Sequence, residues 1–273
     1  MISRWPDALS SGVRSLVLGG IALVTGCGES GSSTDREKPP VETQIASSGS
    51  ASPHPIVPST AVAPAASAES PVADNPQTVA ARAAFQVLVS PGTDSAAWDA
   101  AQQSLVTLGA DAAPILIEGL KSSNPIERET AATVCALTGA VEEKLQAVLG
   151  ECLSDSSSFV RANAAAALAP IPEYQTPVMA TLTTLLADTD PQLRRMAAAN
   201  LCSFGVEASA ELPKLTAVLA DTDAEVVTPV IQLLGRIGPQ AVEAVPQLQK
   251  IAFEQEGEIK QAAEQALLLI QSK

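Results

Sequence analysis

Histidine occurs once in this chain of 273 residues, tyrosine once and tryptophan twice, and aromatic residues make up only 3% of it. His54 alone cannot build a metal centre of the kind that needs several imidazoles. Few rings are available to stack on bases, and positive charge is scarce: 16 Lys and Arg stand against 30 Asp and Glu, a formal net charge of -14. Together these deficits exclude a nucleic-acid-binding surface. The acidic balance favours basic partners and disfavours anionic membrane surfaces. No nucleophile-base pair, phosphate-binding glycine loop or metal-ligand cluster is present, so neither a catalytic residue nor a cofactor or small-molecule substrate is expected. The carboxylates of Glu142-Glu143 and of Asp188 and Asp190 fall in a turn and at helix ends, where capping and dipole stabilisation account for them. What the chain does have is 46% hydrophobic residues, dominated by small and aliphatic side chains.

Residues 1–26 read as an export signal. Arg4 and Arg14 supply the positive flank, and Ser15 to Thr25 is an uncharged, mostly apolar run. As a helix that run would cover roughly 17 Å, too short for a ~30 Å hydrocarbon core. It ends in Val24-Thr25-Gly26-Cys27, which resembles the bacterial lipobox. The resemblance implies diacylglycerol attachment to the Cys27 thiol, cleavage after Gly26 and a stable membrane anchor, since more than one acyl chain suffices. Gly28 rather than Asp follows the cysteine, so the outer membrane is expected over the inner one.

Residues 27–77 read as a tether. Positions 28–77 contain no Leu, Phe, Tyr or Trp, and Ser, Pro, Ala and Gly fill 29 of these 50 positions. Such a stretch cannot bury enough apolar surface to offset the entropy of ordering. As a coil it would span roughly 40 Å, and more where proline stiffens it.

Residues 78–273 read as a repeat array with a 33-residue step. Cys135, Leu168, Leu201, Leu234 and Leu267 form one column, and Leu120, Leu153, Leu186, Leu219 and Ala252 another. Ala131, Ala164, Ala197, Val230 and Ala263 form a small-residue column. Polar columns keep the same step, one through Asp155, Asp188 and Asp221, the other through Arg128, Arg161 and Arg194, ending at Val227. Each period resolves into an alanine-rich helix, a turn at Gly139, Gly205 or Gly238 that ends it, and a leucine-bearing helix with Pro114, Pro213 or Pro246 in its first turn. Asn124 and Asp190 stand as N-caps directly before prolines, and Asp223 takes the equivalent position. Helices apolar on more than one side must stack on neighbours, which makes this an all-α solenoid. Pro170, Pro172 and Pro177 predict a distorted joint in the third repeat.

The runs at 186–195 (LADTDPQLRR), 219–227 (LADTDAEVV) and 153–161 (LSDSSSFVR) resemble HEAT repeats of the short bacterial kind grouped with phycobilisome lyase-type repeats. The resemblance covers roughly residues 95–270, about five to six repeats. It implies that Asp155, Asp188 and Asp221 form polar ladders with Arg128, Arg161 and Arg194 between adjacent repeats. Cys135, Cys152 and Cys202 share columns with Leu, Val, Ile, Ala and Gly, so burial as small hydrophobes is expected. Cys135 and Cys202 lie two repeats apart, ~20 Å at ordinary helix spacing, which excludes a bridge. The resulting expectation is a lipid-anchored, non-enzymatic scaffold that binds a protein partner. A lyase-like enzyme or a cofactor- or chromophore-handling accessory is the alternative that the resemblance allows.

Overall fold

Five of the twelve described α-helices begin where the sequence sets a side-chain acceptor in front of the first turn. Asn124 accepts from the Ile126 amide at 3.0 Å, and Pro125 opens the helix 125–138. Asp190 accepts from the Gln192 amide at 2.8 Å before Pro191, and Asp223 from the Glu225 amide at 3.0 Å before Ala224. Each bond satisfies one of the donors that a helix N-terminus leaves unpaired. The computed structural model describes residues 75–139 and 142–272. The expected signal segment 1–26, Cys27 and the tether up to residue 74 lie outside them.

Among the described residues the order is α1 (Pro76–Val89), α2 (Ser95–Leu108), α3 (Ala113–Leu120), α4 (Pro125–Thr138), α5 (Glu143–Cys152) and α6 (Ser158–Leu168). It continues with α7 (Gln175–Leu185), α8 (Pro191–Leu201), α9 (Leu212–Val218), α10 (Ala224–Ile237), α11 (Val245–Glu254) and α12 (Gly257–Gln271), with no strand. The starts of α4, α6, α8, α10 and α12 fall at 125, 158, 191, 224 and 257, each 33 residues after the last. The even-numbered helices pack one on the next from α2 to α12, and each odd-numbered helix packs against the even-numbered helix that follows it. The protein is an α-solenoid of two helical layers.

The columns of the sequence are the core of this stack. Cys135, Leu168, Leu201 and Leu234 are fully buried, as are Ala131, Ala164, Ala197, Val230 and Ala263. The alanines do this because small side chains let successive even-numbered helices approach closely. One close approach is at Gly235 of α10: a Cβ there would lie 3.0 Å from Ala266 Cα and 3.2 Å from Ala266 Cβ of α12.

One local expectation changes. Gly139 and Gly238 end α4 and α10 in left-handed conformations, with φ of 75° and 72°. Gly205 does not end α8. That helix stops at Leu201 with Cys202 as its C-cap, and Gly205, at φ -132°, comes after a turn that buries Phe204. The hydrophobic Phe204 holds the turn down where a glycine cap is missing. The prolines of the third repeat do not interrupt a helix: Pro170 follows α6, Pro172 opens a 3-10 turn at Pro172–Tyr174, and Pro177 sits in the first turn of α7. The next even-numbered helix resumes the 33-residue step at Pro191.

Candidate functional site

Two edges of the stack carry charged residues, and they differ in what that charge does. The first lies where each odd-numbered helix hands over to the next even-numbered one. Arg128 Nε donates to Asp155 Oδ2 at 2.9 Å and Nη2 to Asp155 Oδ1 at 3.2 Å, from one repeat to the next. The Nη1 of the same arginine donates to the carbonyls of Ser122 and Ser123 in its own loop. Arg194 repeats the pattern, with Nε 2.8 Å from Asp221 Oδ2 and Nη1 on the carbonyls of Asp188 and Thr189. Each aspartate in turn accepts a backbone amide two residues on, Ser157 for Asp155, Asp190 for Asp188 and Asp223 for Asp221. One arginine therefore fixes its own loop and the loop of the following repeat.

Arg161 reaches Asp188 through a hydroxyl: its Nη2 donates to Ser158 Oγ at 2.8 Å, and Ser158 Oγ donates to Asp188 Oδ2 at 3.0 Å. The column gap at Val227 has a simple local cause, since that side chain is buried in the apolar face of α10. Sequence reasoning missed Arg195, whose Nε bonds the cap residue Asp223 at 2.7 Å and whose Nη1 lies 3.0 Å from Glu225. It also missed Glu129, which accepts from Ser157 Oγ at 2.6 Å and so takes the hydroxyl that would otherwise cap α6. The signal for both was present as an arginine and a glutamate one residue after the arginine column.

The ionisation of these groups follows from their surroundings. Burial pushes the Asp155 carboxyl up, but the Arg128 bond and the Ser157 amide outweigh it and hold it below the usual carboxylate range. Asp221 is depressed likewise, burial being outweighed by the Asp223 amide and the Arg194 bond. Glu129 goes the other way, because burial raises it more than the Ser157 bond and Arg128 lower it.

The second edge holds the turns from each even-numbered helix to the next odd-numbered one. Asp111, Glu142, Glu143, Glu173, Glu207 and Glu243 are exposed along it. Lys214 belongs to this edge as well, but it is engaged with Glu211 at 2.8 Å, and Arg236 Nη1 donates to the Cys202 carbonyl. Gln247 and Gln249 are solvated positions on α11.

Cys135 and Cys152 carry buried free thiols, and the Cys202 sulfur donates to Gln232 Oε1 at 3.6 Å. Burial pushes the Cys152 thiol up to about 11 and Cys135 higher still, so neither is a nucleophile at neutral pH. Among the described residues, no group of three or more His, Cys, Asp or Glu side chains is placed to hold a metal ion, and no helix is long and apolar enough to cross a membrane.

Residues 178–268 match the family model of HEAT repeats. An engineered protein of known structure is 24% identical, over 70% of this chain and 96% of its own, with a TM-score of 0.52. A designed armadillo repeat protein is 22% identical over 69% of this chain and 99% of its own, with a TM-score of 0.50. Another designed armadillo repeat protein, solved in complex with the peptide (KR)4, is 19% identical over 69% of this chain and 98% of its own, with a TM-score of 0.52. At these identities the likeness is one of fold, a stack of helical repeats. None of the curated proteins matches the chain.

Proposed function

We propose that this helical repeat stack is the interaction domain of a lipid-anchored scaffold in the bacterial cell envelope, and that it binds a basic protein partner without catalysis. The observation that carries the reading is the stack itself. Helix pairs in one register offer a long surface of recurring side chains, and the groups with the strongest charge on one edge are consumed in holding repeats together. The net charge of -14 supports a basic partner. So does the (KR)4 peptide in one of the designed repeat proteins of the same fold. The anchor rests on Cys27 and its preceding apolar run, the reach on the tether 27–77, and the outer membrane on Gly28.

Crosslinking and affinity capture from intact cells, with a Cys27→Ala control, tests the reading. Capture of one stable partner with a basic contact surface is expected, together with loss of Cys27→Ala from the membrane fraction. Retention of that variant in the membrane fraction contradicts the anchor. A chain that captures nothing, or that carries a chromophore or metal by absorbance and mass spectrometry, contradicts the scaffold and returns the lyase-like or cofactor-handling alternative.

A further inference from the structure

We propose that the first helical hairpin, α1 with α2, is a latch: it comes away from α3 and α4 as one unit while the rest of the array stays folded. The register of α2 on α4 is marked at both ends. The N-caps Asp94 and Asn124, and the left-handed C-cap glycines Gly109 and Gly139, match at a step of 30 residues. At that step Trp98 stands where later repeats have Arg128, Arg161 and Arg194, so α2 brings no guanidinium to fix the loop of the repeat after it. Val106 stands where Ala136, Ala169, Cys202 and Gly235 stand, and a larger side chain holds neighbouring helices further apart.

The same register puts Gln102 in the column of Ala132, Ala165, Ala198 and Ile231, each of them 0% exposed. Gln102 is itself only 8% exposed, and its Oε1 is out of solvent with no hydrogen-bond partner. It lies one helical turn before Val106, as Ile231 lies one turn before Gly235 on the side of α10 that meets α12. A carbonyl so placed loses its water when α2 closes on α4 and regains it when the two part, which penalises the closed state.

Apolar contact holds the latch shut. A Cβ at Gly119 of α3 would lie 2.7 Å from Phe85 Cζ of α1 and 2.9 Å from Ala131 Cβ of α4, so the Phe85 ring is seated where those helices meet. The Arg82–Glu118 pair joins α1 to α3, but at 44% and 48% exposure it adds little. The hairpin moves as a unit because α1 and α2 pack on each other. Both ends of a stack have one neighbour only. They differ here, since α12 meets the backbone of α10 at Gly235 whereas α2 meets α4 through Val106 and an unpartnered amide. The tether joins the array at this hairpin, so in the anchored protein a pull on the membrane end loads it first.

Hydrogen exchange of the full chain, read by mass spectrometry, tests the latch. Amides of α1 and α2 should exchange together, about tenfold or more faster than those of α4, α6 and α8 and of the α11–α12 end. Gln102→Leu should slow the hairpin by about tenfold and leave the rest unchanged. Phe85→Ala should speed the hairpin alone. Pulled in optical tweezers by handles at positions 60 and 273, the chain should first release a step on the order of 100 Å, the contour of the hairpin. Equal exchange in the hairpin and α4 overturns the proposal, as does equal exchange at the two ends of the array, which is ordinary fraying. A hairpin that Gln102→Leu leaves unchanged, a Phe85→Ala variant that unfolds throughout, or a chain that unfolds under load in one step also overturns it. The Cys27→Ala fractionation tests the anchor separately.

Discussion

Arg128 and Asp155 stand 27 residues apart and meet through two hydrogen bonds, at 2.9 and 3.2 Å, across the boundary between one repeat and the next. Both side chains are mostly out of solvent, at 14% and 13% exposure. Removing the arginine leaves a carboxylate that was built to be paired and frees the carbonyls of Ser122 and Ser123. Arg128→Met should therefore cost about 1–3 kcal/mol. Arg82→Met, which loses the exposed pair with Glu118, should cost under about 1 kcal/mol. Urea denaturation of the two variants checks the difference.

The same groups set the pH dependence. Asp155 and Asp221 have folded-state values below their unfolded ones, so their contribution is present above the ordinary aspartate value near 3.9 and is lost as pH falls through the folded values. Glu129 is raised, so its contribution is complete below the ordinary glutamate value near 4.3 and is lost as pH rises through the folded value. Glu129→Gln should keep the acceptor for Ser157 and raise stability at neutral pH. Arg128→Met should flatten the acid limb. Melting temperatures between pH 3 and 8 separate the two effects.

At Gly235 the backbones of α10 and α12 come close together. Gly235→Ala sets a methyl group against the Ala266 backbone at 3.0 Å, which a side-chain rotation cannot relieve. A loss of about 1–3 kcal/mol is expected, the usual cost of overpacking. Leu201→Ala, which empties a fully buried position in the middle of the stack, should cost about 2–5 kcal/mol. Calorimetry of both variants measures the two losses.

Cys135 and Cys152 should resist alkylation in the native protein and react once it is unfolded. Burial both blocks access and keeps each thiol protonated at neutral pH. Mass spectrometry after iodoacetamide treatment, with and without denaturant, reads this directly. Rapid native labelling at Cys135 would contradict the packing described for α4.

The solenoid was legible because its core is periodic. A column 33 residues apart is a column of contacts, and Leu168, Leu201 and Leu234 are buried for the same reason. The end of α8 was not legible, since Gly205 looks like Gly139 and Gly238 until Phe204 is seen buried in the turn before it. Ser158 as a bridge to Asp188 was equally hidden, because a hydroxyl beside two charged columns has no periodic mark. The exposed apolar side chains were the hardest to read. Val206, Val242 and Leu268 have the composition of core residues, and only the finished stack leaves them in solvent. The one clue in the sequence was Leu268, a large residue in a column of small ones.

Photocrosslinking in living cells tests the central claim, that this chain binds a protein partner. Crosslinking residues are placed singly at two exposed positions, 242 on the turn edge and 222 on the Arg-Asp edge. A discrete covalent adduct with one protein, from at least one of the two positions, is the predicted result. No adduct from either would contradict the account.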